Sequence, residues 1–166
     1  MISKKVILTG SFGVGKTSLF NQFVHNKFSD KYLTTIGVKV SKKVIQVEGE
    51  ELSILLWDIA GEVSQDKVPH SYFLGAYGVI YVFDLTRPTT YKNIVEDIAY
   101  LKKILSKNKL NVTVKIVGNK KDLVTDEQVA SITASLGVDC DIVTSAKTGE
   151  NVEKLFHELG AELIAS

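Results

Sequence analysis

The chain has 166 residues, 45% of them hydrophobic and 23% charged, with 20 Lys and Arg against 19 Asp and Glu. At about 150 residues per domain this predicts one domain over 1–166, large enough to fold without staples, and it excludes disorder, collagen and coiled coil as whole-chain readings. A net charge of +1 excludes a broad electrostatic grip on nucleic acid, which needs a cationic surplus, but leaves room for a local anion site. Cys140 is the only cysteine, which excludes an intrachain disulfide and fits a reducing, cytoplasmic setting. No apolar run approaches the ~20 residues of a spanning helix. Ile2 stands where myristoylation needs glycine, and no cysteine near Ser166 offers a prenylation site, so no lipid anchor is expected in this sequence.

Strands and helices alternate along the chain. Residues 5–9 read as a buried strand broken by Gly10, and Lys16–His25 as a helix with Leu19, Phe20 and Phe23 on one face. Residues 38–47 alternate imperfectly, the 48–50 turn follows, and 52–57 form the next strand, so these two predict an antiparallel hairpin. The apolar run 78–83 predicts a central strand buried on both faces. Ile94, Ile98, Leu101 and Leu105 have helical spacing, 111–117 read as a strand, and Thr125 opens a short helix ending near Gly137. A last strand at 141–144 precedes a helix over 151–163. The pattern predicts an α/β fold: a mixed, mostly parallel six-stranded sheet with one antiparallel edge strand and helices on both faces. Ligands of such sheets bind at the carboxyl ends of the strands. The long irregular stretches 26–37 and 60–76 fall there.

Gly10-Ser11-Phe12-Gly13-Val14-Gly15-Lys16-Thr17 matches the phosphate-loop pattern G-x-x-x-x-G-K-[ST], between a buried strand and an amphipathic helix as that loop requires. Backbone N–H groups of Gly13, Val14 and Gly15 can wrap phosphate oxygens, and the helix that follows aims its positive end at the same anion. Lys16 supplies a point charge for the β- and γ-phosphates, and the Thr17 hydroxyl a ligand for Mg²⁺. This pattern alone chooses neither ATP nor GTP. Asn119-Lys120-Lys121-Asp122 follows directly on a strand. Asp122 can accept from the ring N–H and the amino group of guanine together, a donor pair adenine lacks on that edge, and a site built for paired bonds rejects a base that leaves them unmade. Asn119 can bridge base and phosphate loop, and Lys120 can lie along the ring. In Ser145-Ala146-Lys147, after the last strand, the Ala146 N–H can meet the guanine oxygen.

With these stretches in order, and Trp57-Asp58-Ile59-Ala60-Gly61 between them, the chain resembles a Ras-superfamily small GTPase over essentially its whole length. Thr34-Thr35-Ile36-Gly37-Val38 and Trp57 before Asp58 are most similar to the Rab branch. The resemblance implies a P-loop GTPase fold and a switch that binds GTP or GDP with Mg²⁺ and hydrolyses GTP. It implies that Thr35 reaches Mg²⁺ and the γ-phosphate, that Asp58 binds the metal through water, and that the Gly61 N–H contacts the γ-phosphate. Phe28 matches an aromatic against the guanine face, and Tyr32 a tyrosine that closes over the phosphates. Ser18 and Leu123 complete the implied nucleotide contacts. Catalysis falls to Lys16, Thr35, Gly61 and position 62. There the chain departs from the family: Glu62 replaces a water-orienting glutamine, and an ionised carboxylate donates no hydrogen bond and repels phosphate. Gln65 replaces it only if the loop is remodelled. Phe12 is a second departure, a ring where the family keeps a small residue, either crowding the γ-phosphate or turned outward. Both predict slow hydrolysis; the alternative is a nucleotide-holding interaction module with little turnover. The implied partners are protein effectors and exchange or activating factors that read loops 26–37 and 60–76, acting on a monomer.

Overall fold

The computed structural model describes residues 2–26, 38–59, 68–108 and 111–165. Their six strands are β1 (Ile2–Gly10), β2 (Val38–Val47), β3 (Glu50–Ile59), β4 (Ala76–Asp84), β5 (Thr113–Asn119) and β6 (Ile142–Val143). They form one sheet in the order β2-β3-β1-β4-β5-β6. Only β2 with β3 is antiparallel; every other neighbouring pair is parallel. This is the predicted P-loop GTPase fold: a mixed α/β sheet with its antiparallel strand at one edge. The helices are α1 (Lys16–His25), α2 (Ile94–Leu105), α3 (Asp126–Ser135) and α4 (Val152–Ala165).

Several elements run further than the apolar pattern alone. Strand β1 extends back to Ile2 because Ser3 and Lys4 pair with Ser53 and Ile54, and pairing depends on backbone rather than on hydrophobicity. Strand β5 starts at Thr113 rather than 111 and continues through Gly118 and Asn119, which pair with Phe83 and Asp84. The last strand is shorter than expected, only Ile142–Val143. Helix α3 opens on a capping box, in which the Thr125 hydroxyl accepts from Gln128 N at 3.1 Å while the Gln128 side chain accepts from Thr125 N at 2.8 Å.

Two apolar layers clamp the sheet. Val6, Leu8, Ile54, Ile80 and Val82 face α1 and α4 on one side. Ile7, Val79, Tyr81 and Phe83 face α2 on the other, with the partly buried Val129 and Ile132 of α3 packed against that layer. In the central strand β4 alternate residues serve opposite layers, which is why 78–83 reads as an unbroken apolar run. Tyr81 is the polar member; its hydroxyl donates to Asp97 Oδ2 at 2.6 Å, and burial followed by that carboxylate pushes its pKa upward. Phe23 of α1 and Phe156 of α4 stack with centroids 3.6 Å apart and planes 6° from parallel, locking the two helices that cover one face. Phe156→Ala should therefore destabilise the fold by about 3–5 kcal/mol, the range for removing a buried ring. A denaturant melt of the nucleotide-bound protein checks this; a loss below about 1 kcal/mol would mean the stack is not part of the packed core.

Candidate functional site

The parallel strands β1, β4, β5 and β6 deliver their carboxyl ends to one edge of the sheet, and the predicted motifs meet there. Gly10 ends β1 with φ 141°, and a Cβ on it would lie 2.2 Å from Val82 O. Gly15, just before α1, has φ 99°, and a Cβ there would lie 2.2 Å from Asn119 Nδ2. Both ends of the phosphate loop thus need glycine for conformation and for space.

The carbonyls between these glycines are all taken by side chains. Lys16 Nζ donates to Gly10 O at 3.0 Å and to Ser11 O at 2.9 Å. Arg87 donates to Phe12 O at 3.2 Å, Lys120 Nζ to Gly13 O at 2.9 Å and Asn119 Nδ2 to Val14 O at 3.1 Å. In a planar trans peptide the C=O of one residue and the N–H of the next point in opposite directions. Each carbonyl held by a side chain therefore turns the N–H of the residue after it, from 11 to 15, away from that donor, which leaves these N–H groups free for an anion.

The charges suit an anionic ligand. Lys16 is buried, at 6% exposure, and burial lowers its pKa to about 8 although the Asp58 carboxylate partly restores it. An anion at the loop supplies the charge that the protein alone supplies only in part. Asp58, near the end of β3, is fully buried, and its Oδ2 accepts from Thr17 Oγ1 at 2.6 Å. A carboxylate and a hydroxyl side by side are hard oxygen ligands, so this donor set fits Mg²⁺. Among the described residues no cluster of three or more His, Cys, Asp or Glu competes as a metal centre.

On the base side, Asn119 is buried and uses both ends of its amide. Its Oδ1 accepts from Thr144 Oγ1 at 3.0 Å and from Ala146 N at 3.3 Å while Nδ2 holds the phosphate loop. The Ala146 N–H expected to meet guanine is thus engaged, by a long bond, with Asn119. Lys120 adopts a left-handed conformation, φ 70°, which starts the turn carrying Asp122 and Leu123. Asp122 Oδ1 accepts from Ser145 Oγ at 2.7 Å and Ser145 Oγ from Thr148 N at 3.1 Å, so the two base-side loops are joined. Asp122, Leu123 and Lys147 are exposed and remain accessible. Ser18 sits in the first turn of α1, beside Thr17.

Gly13, Val14, Gly15, Lys16, Thr17, Ser18, Asp58, Asn119, Lys120, Asp122, Leu123, Ser145, Ala146 and Lys147 fall on the described segments, whereas Phe28, Tyr32, Thr35, Gly61, Glu62 and Gln65 lie outside the described residues. The Phe12 side chain is 42% exposed. Sequence reasoning missed Asp84, Arg87 and Thr144. Asp84 had a signal: a charged residue closing an apolar strand at the edge where ligands bind.

A model of the Ras family matches residues 5–165 of this chain. The Ras-related protein RABA2a of Arabidopsis thaliana is 35% identical over 164 residues, covering 96% of this chain and 74% of the relative. The Ras-related protein Rab-4A of Bos taurus is 35% identical with the same coverages, and the Ras-related protein YPTC6 of Chlamydomonas reinhardtii is 34% identical over 163 residues. The chain belongs to the Ras family and is Rab-like within it. It is accordingly a small GTPase, a switch that binds GTP and GDP and hydrolyses GTP. Among the described residues no helix is long and apolar enough to cross a membrane.

Gly15→Ala should displace Asn119 from Val14 and strain the loop, weakening GDP by at least ~10-fold, since a non-glycine residue at positive φ costs about 1–2 kcal/mol before any clash is counted. Titration with fluorescent GDP measures it, and unchanged affinity would show that the loop accommodates a side chain.

Proposed function

We propose that Gly13, Val14, Gly15, Lys16, Thr17 and Ser18 hold the phosphates of GTP or GDP while Asn119, Lys120, Asp122, Leu123, Ser145, Ala146 and Lys147 hold the guanine. Phe28 and Tyr32 add contacts from loop 26–37. The observation that supports this reading is the pair of bonds from Asn119 and Lys120 to the Val14 and Gly13 carbonyls, which ties the Asn119–Asp122 turn to the phosphate loop. Thr17 and Asp58, joined by Thr35, are the residues that would hold Mg²⁺. Held there, Mg²⁺ would supply positive charge to the phosphates.

Lys16 gives its ammonium to the β- and γ-phosphates, and Gly61 gives its N–H to the γ-phosphate. Glu62 stands where a water-orienting amide is expected, so the attacking water lacks a donor and meets a like charge; catalysis of this reaction is mostly positioning and charge stabilisation, and turnover is slow for that reason. Loops 26–37 and 60–76 respond to the γ-phosphate and present different surfaces to effectors, exchange factors and activating factors. Residues 1–166 act as one domain and as a monomer, in the cytoplasm.

The direct test is chromatography of the nucleotide released when the purified protein is denatured. Guanine nucleotide is expected, and adenine nucleotide would overturn the assignment of the base site.

Asp122→Asn should weaken GDP at least ~100-fold, the scale of losing hydrogen bonds to a charged acceptor in a paired site, and gain xanthine nucleotides, whose extra carbonyl accepts from the new amide. Wild-type GDP affinity without xanthine binding would remove Asp122 as the base reader. Thr17→Asn should weaken GTP with Mg²⁺ more than GDP, because the lost hydroxyl matters most when the γ-phosphate is present. Equal losses in paired titrations would argue against metal ligation by Thr17. Glu62→Gln should raise single-turnover GTP hydrolysis by on the order of tenfold, and Phe12→Gly added to it should raise the rate further. A fall in rate for Glu62→Gln would instead make the glutamate a catalytic group.

A further inference from the structure

We propose that Asp84 and Arg87 are positioning residues of the nucleotide site: a buried carboxylate at the end of β4 gathers two cations, Lys120 and Arg87, and each holds a carbonyl of the phosphate loop. The inference rests on the nucleotide-site reading above and adds to it two residues outside the nucleotide-binding motifs.

Asp84 has no exposed surface. Its Oδ1 accepts from Thr86 N at 2.8 Å and Thr86 Oγ1 at 2.6 Å. Among the described residues its Oδ2 has no aligned hydrogen-bond donor. It lies instead 2.9 Å from Lys120 Nζ and 3.8 Å from an Arg87 guanidinium nitrogen. A buried carboxylate is costly unless paired, so the carboxylate keeps both cations close. Those cations are the ones that donate to Gly13 O and Phe12 O, at 2.9 and 3.2 Å. By the geometry of the trans peptide, fixing these two carbonyls turns the N–H groups of Gly13 and Val14 away from the cations, to the anion-binding side of the loop.

The segment carrying Arg87 is itself held rigidly. Asp84 N donates to Thr90 Oγ1 at 3.0 Å, and Thr90 Oγ1 donates to Arg87 O at 2.8 Å. Leu85 N donates to Asn119 O at 3.1 Å, so the turn after β4 is tied to the residue that opens the base motif. Lys120 belongs to the base-reading motif and Phe12 to the phosphate loop, and Asp84 joins them. Asp84 thereby couples guanine recognition to the orientation of phosphate-binding N–H groups without contacting nucleotide.

The test is the dissociation rate of a fluorescently labelled GDP from the full chain with Mg²⁺. Arg87→Ala should speed release about tenfold, the scale of one charge-assisted hydrogen bond. Arg87→Lys, which keeps a cation for Asp84 and a donor for Phe12 O, should stay within threefold of wild type. Asp84→Asn should speed release at least tenfold, and adding Arg87→Ala to it should change the rate less than twofold, because Arg87 has then already lost its anchor. A structural role alone would lower the melting temperature without this rescue or this non-additivity. If Asp84→Asn fails to fold, the two Arg87 variants carry the test. Release within twofold of wild type for Arg87→Ala, no advantage of Arg87→Lys over Arg87→Ala, or effects that multiply in the double variant would each overturn the inference. Failure of the wild-type chain to hold GDP would overturn the site reading as well, so the two failures are distinguishable.

Discussion

Five consecutive carbonyls of the phosphate loop, from Gly10 to Val14, accept hydrogen bonds from side chains, and the site depends on that constraint. A loop of free carbonyls and N–H groups has no preferred direction, and its own dipoles cancel. Engaging the carbonyls with Lys16, Arg87, Lys120 and Asn119 fixes the peptide planes, and with them the N–H directions, before any ligand arrives. Preorganised dipoles need no reorganisation on binding, which is why fixed backbone donors outperform water as a solvent for phosphate. Gly15 is the necessary complement: a Cβ there would collide with Asn119, the side chain that holds Val14 O. One added side-chain carbon would remove a donor from the set.

The donors come from distant parts of the chain because the sheet is parallel. Strand β1 leads into the loop, β4 ends in Asp84, and β5 ends in Asn119, with Asp84 and Asn119 paired across neighbouring strands. Parallel strands reach the same edge only by long crossovers, so residues about 100 positions apart become neighbours. The charge distribution follows the same geometry. The buried runs of the central strands, Val6–Leu8 in β1 and Val79–Phe83 in β4, are apolar and covered by helices, while Lys16, Asp58, Asp84 and Asn119 are buried at the carboxyl edge. Buried ionised groups persist there because each carboxylate faces a cation or a hydroxyl rather than hydrocarbon.

That division explains what could be read from the sequence. The phosphate loop and the Asn119–Asp122 turn were legible because their residue types and spacing are dictated by local backbone geometry. The elements were legible because an element buried on one face leaves periodic apolar marks, as in α2, and a strand buried on both faces leaves an unbroken apolar run, as in β4. The strand limits were not: Ser3 and Lys4 pair as well as Val6 does, and nothing in their hydropathy says so. Beyond the mark of a charge closing an apolar strand at Asp84, the roles of Asp84 and Arg87 were not legible, because they depend on β4 lying between β1 and β5, a property of the sheet order rather than of any local stretch. The bond from Ala146 N to Asn119 Oδ1 was not legible either, because its partners lie 27 positions apart.

Asn119 shows how the phosphate loop and the Thr144–Ala146 segment are tied together in this fold. Its amide has one acceptor and one donor group, and the structure commits the acceptor to Thr144 and Ala146 on the base side and the donor to Val14 on the phosphate side. A buried amide holds its orientation only if both ends are satisfied, because a flip would set donor against donor at one end and acceptor against acceptor at the other. The base-side loop therefore fixes the direction of the group that holds the phosphate loop, and the phosphate loop fixes the direction of the group that holds the base-side loop. Lys120 and Asp84 repeat the arrangement with charges in place of an amide. Two links through different chemistry make the coupling stiff: disturbing the loop at Val14 or at Gly13 strains the base-side turn through whichever link remains. The phosphate loop and the turns at 119–122 and 144–146 thus share one set of polar bonds, and neither can relax alone.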